Sequence, residues 1–240
     1  MGRMESQFRF VAPPSPCGYL PDRSAQYEND IVSAATPADY FERMAQGWRR
    51  FGHVFFRPVC RTCRACESLR VDVARFRPSR SQRRNRKHNE SVVALRIGKP
   101  SVTPEKLELY DRYHAFQADH KGWPGHAPKD AADYYAAFVE NPFPTEEWCY
   151  HLYGRLVAVG YVDHLPGGLS AIYFIHDPAE RERALGIWNV LSVIDRAAAL
   201  GIPHVYLGYF VEGSPSMAYK ADFTPNEILG PDGRWAPFRS

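Results

Sequence analysis

Residues 148 to 211 read WCYHLYGRLVAVGYVDHLPGGLSAIYFIHDPAERERALGIWNVLSVIDRAAALGIPHVYLGYFV. Three strand-like runs come first, Trp148 to Tyr153, Leu156 to His164 and Leu169 to His176, each rich in β-branched and aromatic residues. Gly154-Arg155 and Pro166-Gly167-Gly168 separate them and suit hairpin turns, so the three runs are expected to lie antiparallel. Asp177 then offers a helix cap and Pro178 suits the first helical position. Leu185, Trp188, Leu191, Val193 and Ala197 carry the apolar face on to Gly201, which suits the residue just past a helix end. His204 to Val211 is again strand-like. The order predicts three antiparallel strands, a long helix, and a strand returning beside the third.

The rest of the chain adds shorter elements around this unit. Thr103 caps a helix from Pro104 with Leu107, Tyr110 and His114 on one face, and a second helix is read from Ala131 to Val139. Near the start, a strand at Phe8 to Val11 precedes APPSPCGYLPD; a helix follows with Thr36 at its N-cap, Pro37 at N1 and Asp39 closing a near capping box. HVFFRP reads as a strand. The division is expected near residue 96: a small cysteine-containing α+β module over 1–95, and the strand-helix unit over 96–240. No apolar run approaches the ~20 residues that span a bilayer, and MGRMESQFRFVAPPSP has no apolar h-region. A cytoplasmic location and no membrane partner are therefore expected. Five cysteines, three of them bunched at Cys60, Cys63 and Cys66, look like reduced thiols rather than a disulfide framework.

Charge is strongly segregated. Residues 43 to 96 hold 15 Lys and Arg against 3 Asp and Glu, while the remainder holds 15 against 24, so a net charge of +3 hides a basic patch. Arg75, Arg77, Arg80, Arg83, Arg84, Arg86 and Lys87 fall in one stretch, read as a strand and loop, after the alternating Leu69, Val71, Val73 and Phe76. Guanidinium forks donate paired hydrogen bonds to phosphate oxygens, so the patch points to RNA. Cys60, Cys63 and Cys66 have iron–sulfur ligand spacing, and Cys17 could close a four-thiolate site for a cluster or for zinc. Spacing does not choose between them, and unmetallated packing is the alternative.

The order of strands and helix resembles the core of acyltransferases of the N-acetyltransferase (GNAT) type. In that architecture the strands flanking the helix splay, leaving N–H groups free to hold an activated carbonyl. A coenzyme A enzyme of this kind would cradle pyrophosphate at the start of the long helix. Here that start reads DPAERERALG, with Asp177, Glu180 and Glu182, so an acyl donor bound through the distant basic patch is expected instead.

Longer matches go further. CGYLPDRSAQYE from Cys17, WRRFG from Trp48, FFRPVCRTCRACESLRVDVARFRPSRSQRR from Phe55, YLGYF from Tyr206 and YKADFTP from Tyr219 resemble, in order, the arginyl-tRNA–protein transferases and their bacterial relatives, the leucyltransferases. The resemblance implies transfer of an aminoacyl group from tRNA to a protein's N-terminal α-amine, directly and without an acyl-enzyme, marking that protein for degradation. The bacterial branch uses leucyl-tRNA as co-substrate and proteins with N-terminal Asp or Glu as acceptors; the eukaryotic branch uses arginyl-tRNA. Leu20 departs from the eukaryotic Cys-Gly-Tyr-Cys pattern. A third reading is a non-catalytic tRNA-binding metal or redox sensor.

The chemistry needs little. An aminoacyl ester becomes an amide downhill, and an α-amine of pKa ~8 is partly neutral near pH 7. Positioning, one base for the amine proton and one donor for the oxyanion suffice. Asp163 and Tyr173 are the expected pair, with His176 as substitute. Arg57, Arg70 and Lys220 lie in family-matching stretches and are the expected cations for the acceptor carboxylate. A leucyl donor calls for an apolar pocket, an arginyl donor for an acidic one.

Overall fold

The computed structural model of the protein describes residues 4–121, 125 and 127–239. The first part runs β1 (Glu5–Val11), β2 (Ser15–Pro16), β3 (Ser24–Ala25), β4 (Tyr27–Ala34), α1 (Pro37–Met44), β5 (Arg49–Phe51), β6 (Val54–Pro58) and β7 (Glu67–Asp72). Then come α2 (Arg80–Asn89), β8 (Val93–Gly98), α3 (Pro104–Lys121) and α4 (Ala131–Tyr134), which a π-helical turn continues over Tyr135–Val139. The third part is β9 (Thr145–Leu152), β10 (Arg155–Leu165), β11 (Gly168–His176), a 3-10 turn (Pro178–Arg183), α5 (Leu185–Ala199) and β12 (His204–Phe210). It ends with α6 (Pro215–Ala218), a 3-10 turn (Tyr219–Asp222), β13 (Asn226–Leu229) and β14 (Trp235–Arg239).

The fold is α+β around an eight-stranded mixed sheet, ordered β14-β13-β7-β12-β11-β10-β9-β8. β9, β10 and β11 are antiparallel neighbours as read from sequence, with Gly160 opposite both Trp148 and Phe174. Tyr153 and Gly154 both take left-handed φ, 50° and 86°, the backbone a two-residue hairpin turn requires. β12 lies parallel to β11 through three pairs, Gly168 with His204, Leu169 with Val205 and Ser170 with Tyr206. There the pairing stops, although β11 runs on to His176 and β12 to Phe210. Gly168 allows the close approach that precedes the split, since a Cβ there would meet the Tyr206 ring at 2.2 Å.

Different elements cover the two faces of this sheet. Leu69, Val71, Val205 and Leu207 pack with Leu191 and Ile194 of α5, over which α2 lies. Tyr206 and Leu165 point the other way, into a core with Tyr40 and Met44 of α1, Trp48 of the connection after it, and Phe55 of the N-terminal sheet, ordered β1-β4-β6-β5. Leu109 of α3 joins Val159, Tyr161 and Ile175 on that second face. The α1 capping box is present: Thr36 accepts from the Asp39 N–H, and Asp39 from the Thr36 N–H.

Three readings change. The arginine run is a helix, α2, not a strand and loop; Ser79 and Gln82 form its reciprocal capping box. The long helix starts later than Pro178: a 3-10 turn ends at Ala184, whose φ is 46°, and α5 begins at Leu185. The division expected near residue 96 is one of sequence order; the main sheet takes β7 from before it and seats Arg70 between Tyr206 and Glu227. Gly52 is a rigid corner, with φ 50° and a hypothetical Cβ 2.2 Å from the main-chain oxygen of Ala136. Gly52→Ala should therefore cost about 2–3 kcal/mol in urea unfolding, because neither backbone can rotate away.

Candidate active site

Where β11 and β12 part lies a cleft of about 100 Å³. Tyr40, Phe51, Phe56, Ile172, Leu207 and Met217 give it apolar walls; Arg49, Arg50 and Lys220 give it charge. No carboxylate lines it among the described residues. The two outer cations owe their position to one glycine. Gly208, at φ 76°, breaks the register of β12 between Tyr206 and Tyr209, and the site of its missing Cβ is 3.7 Å from Lys220 Nζ and 3.8 Å from Arg49 Nε. Arg49 is buried, stacks 5.1 Å over Tyr209, and donates to the Trp48 carbonyl at 2.6 Å and the Gly208 carbonyl at 3.4 Å. Lys220 Nζ donates to the Tyr209 carbonyl at 2.9 Å. Burial, then the charge of Arg49, pushes its pKa down to about 7. Neither cation has a carboxylate partner among the described residues.

The expected base sits behind this cleft rather than in it. Asp163 has no exposed surface; Arg50 Nε and Nη2 donate to its two oxygens at 2.9 and 2.5 Å, and the Thr145 hydroxyl donates at 2.8 Å. Arg50 is held further by Asn141 at 2.7 Å and the Gly52 carbonyl at 3.1 Å. Burial raises the Asp163 pKa, and Arg50 opposes it. Tyr173 is one layer away, its ring 5.5 Å from that of Phe51. Its hydroxyl lies 2.8 Å from His114 Nε2; since His114 Nδ1 lies 2.8 Å from the Tyr110 carbonyl and must carry the hydrogen there, Nε2 accepts from Tyr173. Burial pushes the Tyr173 phenol well up. His176 faces the Asp177 carbonyl at 3.2 Å and is held low by burial.

Of the three expected acceptor cations, Lys220 lines the cleft. Arg57 is paired with Glu28 at 2.7 Å and stacks over Trp48 at 5.0 Å. Arg70 is paired with Glu227 at 2.6 Å and stacks over Trp235 at 4.5 Å. Arg49 was not singled out, although it stands in WRRFG; the signal for its neighbourhood was Gly208, since a glycine inside a strand pattern marks a bulge or a close approach.

Residues 15–84 match the family described as "Arginine-tRNA-protein transferase, N terminus", and residues 105–230 its "C terminus" counterpart. An aspartate/glutamate leucyltransferase of Campylobacter jejuni (strain 81-176) is 36% identical over 216 residues, 89% of each chain. The chain belongs to the arginine-tRNA–protein transferase family. Aspartate/glutamate leucyltransferases of Nitrosococcus oceani and Gluconobacter oxydans are 36% and 34% identical to this transferase, over 95% and 96% of it and 94% and 95% of their own lengths. Among solved structures, the C-terminal domain of a protein described as a lysylphosphatidylglycerol synthetase from Agrobacterium fabrum aligns with a TM-score of 0.48 and 13% identity, covering 83% of the transferase and 63% of that chain.

The transferase's basic patch is mounted on α2 and on the segment just before it. Arg77, Arg80, Arg83, Arg84 and Lys87 are exposed, while Arg86 is partly buried and paired with Asp195 at 2.9 Å. Gln82 on the buried side donates to the Asp222 carbonyl at 3.1 Å, two residues from Lys220, so the helix is bonded to the segment that reaches the cleft. Replacing Arg80, Arg83 and Arg84 together by Ala should weaken binding to all tRNAs alike and lower the slope of log affinity against log salt by about 2, because phosphate contacts carry no base information. Filter binding across a salt series checks this; an unchanged slope removes α2 from the RNA surface.

All five cysteines are free thiols. Cys66 is pushed up to about 12 by burial and then by Cys17, Cys60 and Cys63, so the four sulfurs share one neighbourhood. Cys60 Sγ accepts the Gln26 N–H at 3.4 Å. Among the described residues no three of these side chains are placed to ligate an ion. As they stand they do not fit a metal centre. Cys149 is partly buried on β9, and burial pushes it up to about 12. No described helix is long and apolar enough to cross a membrane.

Proposed function

We propose that this transferase moves leucine from leucyl-tRNA to the N-terminal α-amine of proteins beginning with Asp or Glu. The observation that carries the reading is the cleft itself: apolar walls, two cations without carboxylate partners, and no acidic lining residue among those described. An arginyl donor would need an acidic pocket, which the apolar walls do not supply. The relatives described as aspartate/glutamate leucyltransferases point the same way. We also infer that the parting of β11 and β12 beside α5 is an N-acetyltransferase-type arrangement, with the module before residue 96 completing its wall.

Lys220 and Arg49 would hold the acceptor's side-chain carboxylate. The neutral α-amine attacks the ester carbonyl of leucyl-tRNA, a C–N bond forms, the C–O bond to the ribose breaks, and the leaving ribose oxygen takes up the proton released by the amine. Arg50, fixed by Asp163 and Thr145, presents a positive field to the developing oxyanion. Asp163 would thus be a positioning residue, and Tyr173 with His114 would brace Phe51. A cytoplasmic location suits five free thiols and a charged-tRNA co-substrate.

Cys17, Cys60, Cys63 and Cys66 are then packing thiols rather than ligands, and elemental analysis of anaerobically purified protein should find neither zinc nor iron. The function is tested by offering a mixed pool of charged tRNAs with an Asp-starting peptide. Leucine is expected on the product; arginine without leucine would overturn the donor.

A further inference from the structure

The N-terminal sheet has two unlike faces. On one, Glu28 and Asp30 meet Arg9, Arg43 and Arg57, and all three guanidiniums stack on Trp48 at 4.7–5.1 Å. The other face is mostly apolar, with Asn29 its polar member in the two rows that matter here. The register places Phe8, Ile31 and Val54 in one row across β1, β4 and β6, and Phe10, Asn29 and Phe56 in the next. Neither row contains a carboxylate. Phe8 is 60% exposed, and Phe10, Ile31 and Val54 are 37–39% exposed.

Both rows continue onto β5, where Phe51 lies opposite Val54 and Arg49 opposite Phe56. Arg49, Phe51 and Phe56 are also cleft walls. An apolar strip three strand spacings wide, about 14 Å, thus leads from β1 into the candidate site. Contiguous exposed apolar rows of this kind mark binding surfaces.

We propose that this strip carries the acceptor polypeptide behind its N-terminal Asp or Glu; the proposal rests on the function proposed above. About four residues of extended chain span it. Apolar contact tolerates many sequences, as an enzyme that reads only the first residue requires. Charge fits as well: the leading carboxylate is drawn toward Arg49 and Lys220 over rows that hold nothing to repel it. The arginines of α2 lie over α5 on the opposite face of the main sheet, which gives the tRNA a separate approach.

The test compares acceptors of two lengths on the whole enzyme. Phe8→Ser combined with Phe10→Ser should raise KM about tenfold for an Asp-starting peptide of about ten residues. A dipeptide acceptor, too short to reach β1, and leucyl-tRNA should keep their KM values. An unchanged KM for the long peptide overturns the proposal, and so does a raised KM for leucyl-tRNA, which would place RNA on the strip. Should the double variant fold poorly, the wild-type enzyme answers instead: a peptide with a benzophenone side chain about five residues in should crosslink to β1 or β4, and crosslinks found only elsewhere overturn the proposal. Crosslinking without any leucine transfer would spare the strip and sink the functional reading.

Discussion

Lys220→Met is expected to lower kcat/KM for Asp- and Glu-starting peptides by roughly tenfold to a hundredfold, the worth of a charge-assisted hydrogen bond of ~1.5–3 kcal/mol. It should also erase the preference for Asp over Asn while leaving tRNA affinity unchanged. Arg49 of β5 lowers the Lys220 pKa and Cys66 raises it, with burial dominant and the result about 7. The ammonium is therefore present below that value and lost above it. Discrimination of Asp from Asn by the wild type should be greatest below about pH 6.5 and fade above about pH 8, opposite in sign to the gain in neutral acceptor amine. Stability moves too. Between about pH 7 and the ordinary lysine range the unfolded chain binds the extra proton, so wild-type stability should rise with pH across that window, and the Met variant should lose this slope. Full Asp selectivity in Lys220→Met would move the acceptor pocket away from the β11–β12 cleft.

Asp163→Asn should cost about 3–5 kcal/mol in urea unfolding, because it leaves the buried Arg50 guanidinium without its counter-charge. Arg50→Met combined with Asp163→Leu should recover most of that loss, as apolar replacement of a buried pair commonly does. The same variants separate two roles. If Asp163 braces Arg50, the activity lost by the Asn variant follows the movement of Arg50, and the pH profile keeps its shape. Loss of one titration limb with the fold intact would mark Asp163 as the base after all.

What could be read in advance was local. The Thr36 capping box, the β9–β10 hairpin, whose turn falls on Tyr153-Gly154 rather than on Gly154-Arg155, and the return of β12 beside β11 each depend on residues adjacent in sequence or on one connection. α2 departs from the strand-and-loop expectation although its Ser79–Gln82 box is equally local, because seven cations in thirteen residues, 75 to 87, have the composition of a solvated run. Lys220 is legible through the family-matching YKADFTP stretch that holds it. Arg49 is not, because its place in the cleft depends on Gly208, 159 residues away. Asp163 was legible as a polar residue in an apolar strand, yet its partner Arg50 is 113 residues distant, and without that contact a brace and a base look alike.

The placement of β7 has a consequence for how the chain is made. Its neighbours are β12 and β13, which begin at His204 and Asn226, more than 130 residues downstream. During vectorial synthesis Leu69 and Val71 must wait, both backbone edges open, until the segments from His204 and Asn226 have left the ribosome. Nascent chains halted before His204 should then be the most prone to aggregate, since an unpaired apolar strand is a template for the wrong partner.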